Sequence, residues 1–325
     1  MANAYTQHYG LCQWAAEDDF LRAEFNQDNA RVDEALHENA RRGERADYHL
    51  CNLLLQREYE GKDTGFKRAL LFDGFQDMEG VAARSGFLPG AKCLVLSVQA
   101  QGDVVLPENM GSSEALSTPK MTMTGSGRIT GFQYLLYAEI ALSGLGEIDY
   151  ALTVNGEERA AGTTRPAPPP EAAKEERTLT LAQPVEVCAG DVCVLRMECR
   201  TSGLRLRKGE DDTLCGTLRV QSAAAESGSM TAAAAALPAC AGASAWVRHQ
   251  GGTVGLSLKK GGTAVPFTRG ETRDTTEPLE GAPCTETAFS LEGDIAGGEW
   301  QVVLTGALES GETEMRVYDY GVMLR

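Results

Sequence analysis

The chain has 325 residues, 42% hydrophobic and 23% charged, the composition of a folded protein and not of a disordered one. Its 30 Lys and Arg against 46 Asp and Glu leave a formal charge of −16. That balance excludes a general nucleic-acid or anionic-membrane binder, whose affinity comes from clustered cations.

Residues 1–63 read as an attachment segment followed by a helix. The opening carries Glu17, Asp18 and Asp19 and no apolar stretch behind basic residues, so no signal peptide is expected. Asn26 and Asp28 can cap a helix start, and no Pro interrupts the run that ends near Gly61. Within it, positions 25, 29, 32, 36, 39, 43, 46, 50 and 53 alternate steps of four and three. They read Phe25, Asn29, Val32, Leu36, Asn39, Gly43, Ala46, Leu50 and Leu53, a heptad seam diluted by two Asn and a Gly. Either an amphipathic helix packed on its own domain or a parallel coiled coil fits this pattern. The second makes Phe25, Asn29, Val32, Leu36, Asn39, Ala46, Leu50 and Leu53 an oligomerisation surface.

Residues 64–119 hold short apolar runs, Phe66–Phe72, Cys93–Val98 and Val104–Leu106, broken by turn residues such as Asp73-Gly74. They suit either a small β collar or the opening strands of the following domain.

Beyond them lies an internal repeat. Residues 187–203 (VCAGDVCVLRMECRTSG) align with 295–311 (IAGGEWQVVLTGALESG) at an offset of 108. The alignment matches Val192 to Trp300 and Leu195 to Val303. Upstream, Leu152 with Gly156 meets Leu258 with Gly262 at 106, and Trp246 falls opposite Glu139 at 107. A period near 107 residues is that of a whole domain. Alternating apolar residues with frequent turn signals predict a jelly-roll-like β-sandwich for each copy, over 120–222 and 228–325. Asn155-Gly156 and Gly261-Gly262 are the expected hairpin turns. Thr163–Glu176 and Thr268–Glu286 read as long irregular segments. The fold class is therefore mainly β, with a helical stalk in front.

Reactive constellations are sparse. The four histidines, His8, His37, His49 and His249, form no metal-binding or catalytic spacing, and no H-E-x-x-H, G-x-S-x-G, Walker A or Rossmann fingerprint is present. None of the nine cysteines forms a C-x-x-C pair, and Cys193 and Cys199 read as small buried hydrophobes. Asp149, Glu198 and Glu299 read as outward strand or turn residues, and Lys208–Thr213 as an acidic turn. No enzyme activity, metal or cofactor is expected.

One local resemblance adds to this. Tyr9-Gly-Leu-Cys-Gln-Trp14 and the later Phe25, Asn26, Asp28, Asn29, Val32, Asp33, Ala35 and Leu36 resemble the opening of phage and prophage tail-fibre or baseplate-associated proteins of Gram-positive hosts. Glu24 stands where that pattern has Asp, and about 30 residues are covered. The resemblance implies a homotrimeric virion component assembled in the bacterial cytoplasm. Its N-terminus would dock on other tail or baseplate proteins, and its distal domains would meet a host-surface glycan or protein. On that reading the exposed contact residues are Trp246, Arg269, Glu271, Arg273, Asp274 and Glu277. The competing readings are a glycan-degrading depolymerase working through carboxylates and a bacterial carbohydrate-binding surface module.

Overall fold

A computed structural model describes residues 4–6, 11–14, 22, 25–36, 39, 69–108, 111–277 and 281–324. The chain divides into two compact units, Met1–Phe66 with Thr276–Ala282 and Lys67–Thr275 with Pro283–Arg325.

In the first unit a two-stranded hairpin pairs Ala4–Tyr5 with Cys12–Gln13, and residues 25–36 are helical. The backbone N–H of Cys12 donates to Asp28 Oδ2 at 2.8 Å, tying hairpin to helix. The long stalk expected from the seam is not what the described residues show: their helix is short. Gly43, Ala46, Leu50 and Leu53 lie outside them.

The second unit is mainly β, built from four antiparallel sheets that form two sandwiches. In one, strands Gly127–Ala138, Lys174–Val187 and Gly216–Ser222 share a sheet that faces Ile148–Val154, Glu157–Thr164 and Val192–Cys199. The other repeats this connectivity. Cys240–Gln250, Pro283–Ile295 and Glu314–Leu324 form one sheet, and Thr253–Lys260, Thr263–Pro266 and Gly298–Ala307 the other. Both hairpin turns are where the dipeptides predict them. Asn155 and Gly156 have φ of 53° and 83°, and Gly261 and Gly262 have 55° and 90°, the left-handed pair a tight primed turn requires.

The repeat register differs from the expected alignment. Leu152 lies opposite Leu195 and Leu258 opposite Val302, so Leu195 corresponds to Val302 and Cys193 to Trp300, an offset of 107. Val303 and Val192 are only half-buried, whereas Cys193 and Trp300 are buried. The connection preceding these strands is longer in the first copy, so no constant offset can run through it. One residue of slip turns every side chain to the opposite face.

The described residues of 64–119 are neither a collar nor the start of the next domain alone. Ala69–Asp73 and Cys93–Ser97 pair with Glu314–Leu324, and Val81–Ser85 pairs with Ser227–Ala232. These strands complete the C-terminal sandwich. Val104–Leu106, Ser112–Ser113 and Ala115–Ser117 instead complete the sandwich that follows them. The first sandwich is thus inserted into the second. Its entry and exit close on each other: Ala225 N–H donates to the Ser97 carbonyl at 2.8 Å.

Each sandwich has its own apolar core. Between them Leu88, Cys93 and Val95 of the outer sandwich pack on Cys188 of the inserted one. Arg84 makes a two-pronged pair with Glu186, whose Oε1 also lies 3.3 Å from Arg128 Nε. Of the eight described cysteines, seven are buried. Burial pushes the Cys193 and Cys199 thiols up to about 12, so both stay protonated and act as small apolar groups.

Candidate binding surfaces

Thr268–Thr276, expected as part of an irregular segment, is a strand at the sheet edge beside Pro283–Ile295. Its residues are polar on both faces because both faces are solvated, so no apolar alternation marks it. Thr at four of its nine positions supplies the strand preference instead. Arg269, Glu271 and Asp274 are exposed along this edge, where charges also discourage pairing with another chain. Arg273 is exposed too, and its Nε lies 2.9 Å from Glu286 Oε1. Glu277 is buried, and its carboxylate accepts the Ala282 N–H at 3.1 Å within its own turn. The other irregular segment shrinks similarly, to residues 165–173 between Glu157–Thr164 and Lys174–Val187.

Trp246 is not a surface residue. It sits on the sheet face opposite the core, as its alternation with Ala245 and Val247 requires, yet it is fully buried. Its ring packs on Phe72, centroid to centroid 6.1 Å, and lies directly over Gly321. The matching bulges at Ile129/Gly131 and Cys240/Gly242 make its counterpart the half-buried Leu135, not Glu139. A Cβ at Gly321 would fall 2.1 Å from the indole. Gly321→Ala should therefore cost about 1–3 kcal/mol by overpacking. Thermal melting and a red shift of tryptophan emission check it.

Beside Trp246 lies a buried ion network that the sequence reading missed. Arg248 stands directly opposite Glu286 on one neighbouring strand and Asp319 on the other. Its Nη2 is 3.1 Å from Glu286 Oε2 and its Nη1 3.3 Å from Asp319 Oδ2. The Trp246 indole N–H donates to Asp319 Oδ1 at 3.2 Å. Every carboxylate oxygen has a donor, as burial of charge demands. Desolvation raises Asp319 to about 6, opposed by Arg248 and the two hydrogen bonds. One signal was available: Arg248 follows the apolar Ala245-Trp246-Val247, and Asp319 stands between Tyr318 and Tyr320. The corresponding positions of the first sandwich are Tyr137, Lys174 and Arg205, so the network is not repeated.

Nearby, His249 Nδ1 is 2.9 Å from the Gly251 carbonyl and Nε2 3.0 Å from Thr287 Oγ1. A carbonyl only accepts, so Nδ1 carries the proton. Burial lowers the histidine's affinity for a second proton, leaving it neutral and structural. Asp149 and Glu198 face each other across two strands and share Arg200, at 2.7 and 2.8 Å. The hydrogen bond from Thr163, then that from Arg200, lowers Asp149. They form a cation-neutralised surface cluster. In the acidic turn, Lys208 Nζ lies 2.7 Å from Asp212. No group of three or more metal-ligating side chains occurs among the described residues, and no described helix is long and apolar enough to cross a membrane.

A cleft of about 230 Å³ separates the sandwiches, lined by Gln76, Lys92, Asn155, Glu157, Arg159 and Asp191. A trough of about 530 Å³ lies on the inserted sandwich. Val105 and Leu135 line it beside Gln133, Glu108, Lys174 and Glu176, and Val105 is 74% exposed.

No known protein family matches the chain, and no curated protein is significantly similar to it. Among solved structures it is similar to infectious bursal disease virus, Gx strain, at 5% identity over 71% of this chain and 40% of that one, TM-score 0.18. The Gt strain gives 5% identity over 75% and 41%, TM-score 0.18. A Paenibacillus cycloisomaltooligosaccharide glucanotransferase complexed with cycloisomaltoheptaose gives 8% over 70% and 46%, TM-score 0.21. The chain spans less than half the length of each.

Proposed function

We propose that this chain is a non-enzymatic structural and host-attachment component of a phage tail or related contractile particle. Its N-terminal unit would dock on other tail or baseplate proteins, and its sandwiches would carry the receptor-contacting surface. The observation behind this reading is the bond from Cys12 N–H to Asp28. It joins the two halves of the tail-fibre-like sequence pattern, Tyr9–Trp14 and the helix from Phe25, into one local unit. Immunogold labelling of tail particles released by the strain that encodes the chain tests it. Gold at the tail supports the reading, and unlabelled particles overturn it.

Receptor contact through the edge strand rests on Arg269, Glu271 and Asp274, exposed charges of Thr268–Thr276. Replacing all three by Ala removes no buried contact, so the melting temperature should stay nearly unchanged. Adsorption of labelled protein to host cells should fall several-fold; equal adsorption would remove the edge strand from the contact surface.

The trough favours a second reading, a glycan-binding module. The apolar side chains of Val105 and Leu135 suit the C–H face of a sugar, and Gln133, Lys174 and Glu176 can hydrogen-bond its hydroxyls.

A further inference from the structure

We infer that the far end of the inserted sandwich is a lipid-contacting tip, with Ile140 and Leu145 entering the interface of a bilayer of zwitterionic lipids. Strand Gly127–Ala138 begins beside the crossing between the sandwiches, where the Ser126 N–H donates to the Gln99 carbonyl, and runs 12 residues to the loop over 139–147. At about 3.3 Å per residue the loop stands roughly 40 Å from that crossing. Residues 140–146 carry no charge, in a chain of which 23% is charged. Ile140 and Leu145 are 51% and 63% exposed. Residues 166–170, also uncharged, run alongside: the Gly146 N–H donates to the Pro166 carbonyl at 2.9 Å.

The loop is pinned, so these side chains are held out by a fixed backbone. The Glu139 N–H donates to the Gly203 carbonyl at 2.8 Å and the Glu147 N–H to Thr201 Oγ1 at 2.9 Å. Leu142 anchors the middle on the core, and Ile140 rests on Gly203, where a Cβ would fall 2.6 Å from its Cγ1. A bilayer is the occupant that fits. Apolar side chains that stand out from a loop need a surface that yields around them, and the headgroup–acyl boundary does so. The charges at the base of the loop come as pairs of both signs: Arg205 lies 2.9 Å from Glu139 and Arg165 2.9 Å from Glu147. A zwitterionic headgroup carries the same two charges, its phosphate facing the arginines and its ammonium the glutamates. Anionic lipid would meet the glutamates and the chain's net −16. Lipid contact and tail attachment are independent, so either can fail alone.

Flotation of the full-length protein with phosphatidylcholine vesicles at millimolar lipid tests the tip. The wild type should float. The double variant Ile140→Asp, Leu145→Asp should float about tenfold less or weaker still, while keeping the β circular dichroism of the sandwiches. Val105→Asp, at the trough, should float as the wild type does. Leu145→Trp should shift its emission to the blue when vesicles are added, a readout that needs no disruptive change. Adding phosphatidylglycerol to the vesicles should weaken binding at low salt. A wild type that stays at the bottom of the gradient overturns the inference and leaves the tip to a protein partner. So does a double variant that floats equally, a tryptophan that does not shift, or tighter binding to the anionic vesicles. None of these results touches the gold labelling that decides attachment.

Discussion

A fragment of residues 224–325 should fail to fold, although it contains every strand of the second repeat. Four of the large core side chains of that sandwich, Phe75, Phe87, Leu94 and Leu96, come from before the inserted domain. Burying each contributes about 1.5–3 kcal/mol, together roughly 6–12 kcal/mol. That is comparable with the whole stability of a domain, roughly 5–15 kcal/mol. The fragment would also leave Glu314–Leu324 and Ser227–Ala232 each open along one edge, the usual template for aggregation. Residues 99–223 should behave oppositely, since every buried residue of that core lies between Leu106 and Leu218. They should give a soluble β domain with a cooperative melt. Replacing 99–223 by a short Gly-Ser linker in the full chain should leave the outer sandwich folded, because Ser97 and Ala225 already touch. Circular dichroism and thermal melting of the three proteins decide the matter. A folded 224–325 would show that the N-terminal strands are accessory.

What was legible in the sequence is local. Asn155-Gly156 and Gly261-Gly262 declare hairpins because only a few residue types accept consecutive left-handed φ. Thr178-Leu179-Thr180-Leu181 declares a half-buried strand, and its residues alternate exposed and buried. What was not legible is the pairing between strands far apart. Nothing in Cys93–Ser97 says that its neighbour is Glu314–Leu324, more than 200 residues later, because both read simply as apolar strands. The same limit explains the site residues. Trp246 is expected at the surface from its alignment with the charged Glu139, but its counterpart is Leu135, and burial of an outer face depends on what else packs there, in this case Phe72 and the missing side chain of Gly321. Thr268–Thr276 escaped for the opposite reason: an edge strand wet on both sides has no apolar period to read.

The Arg248 network should make the outer sandwich less stable as pH rises through 6. Asp319 titrates at about 6 in the fold against 3.8 for a free side chain. A raised carboxyl binds its proton more tightly in the native than in the unfolded state. Its contribution is therefore fully present below about pH 3.8 and lost as pH rises through about 6. That displacement corresponds to about 3 kcal/mol at most, with Arg248 and Trp246 already counted. Asp319→Asn keeps an acceptor for both donors and has no proton to lose. Between pH 4 and pH 8 its stability relative to wild type should therefore shift in the variant's favour, by up to about 3 kcal/mol. Denaturant melts at the two pH values measure this. A shift in the other direction would mean that attraction to Arg248 outweighs desolvation, so that the ionised carboxylate stabilises the fold. Arg248→Met should act more severely at neutral pH, costing about 3–5 kcal/mol, because the buried carboxylates of Glu286 and Asp319, on the strands either side, would lose the cation they share. Lowering the pH should recover part of that loss, since the variant's Asp319 can take up a proton more readily than the wild type's. A loss independent of pH would instead identify Arg248 as a packing residue whose charge is incidental.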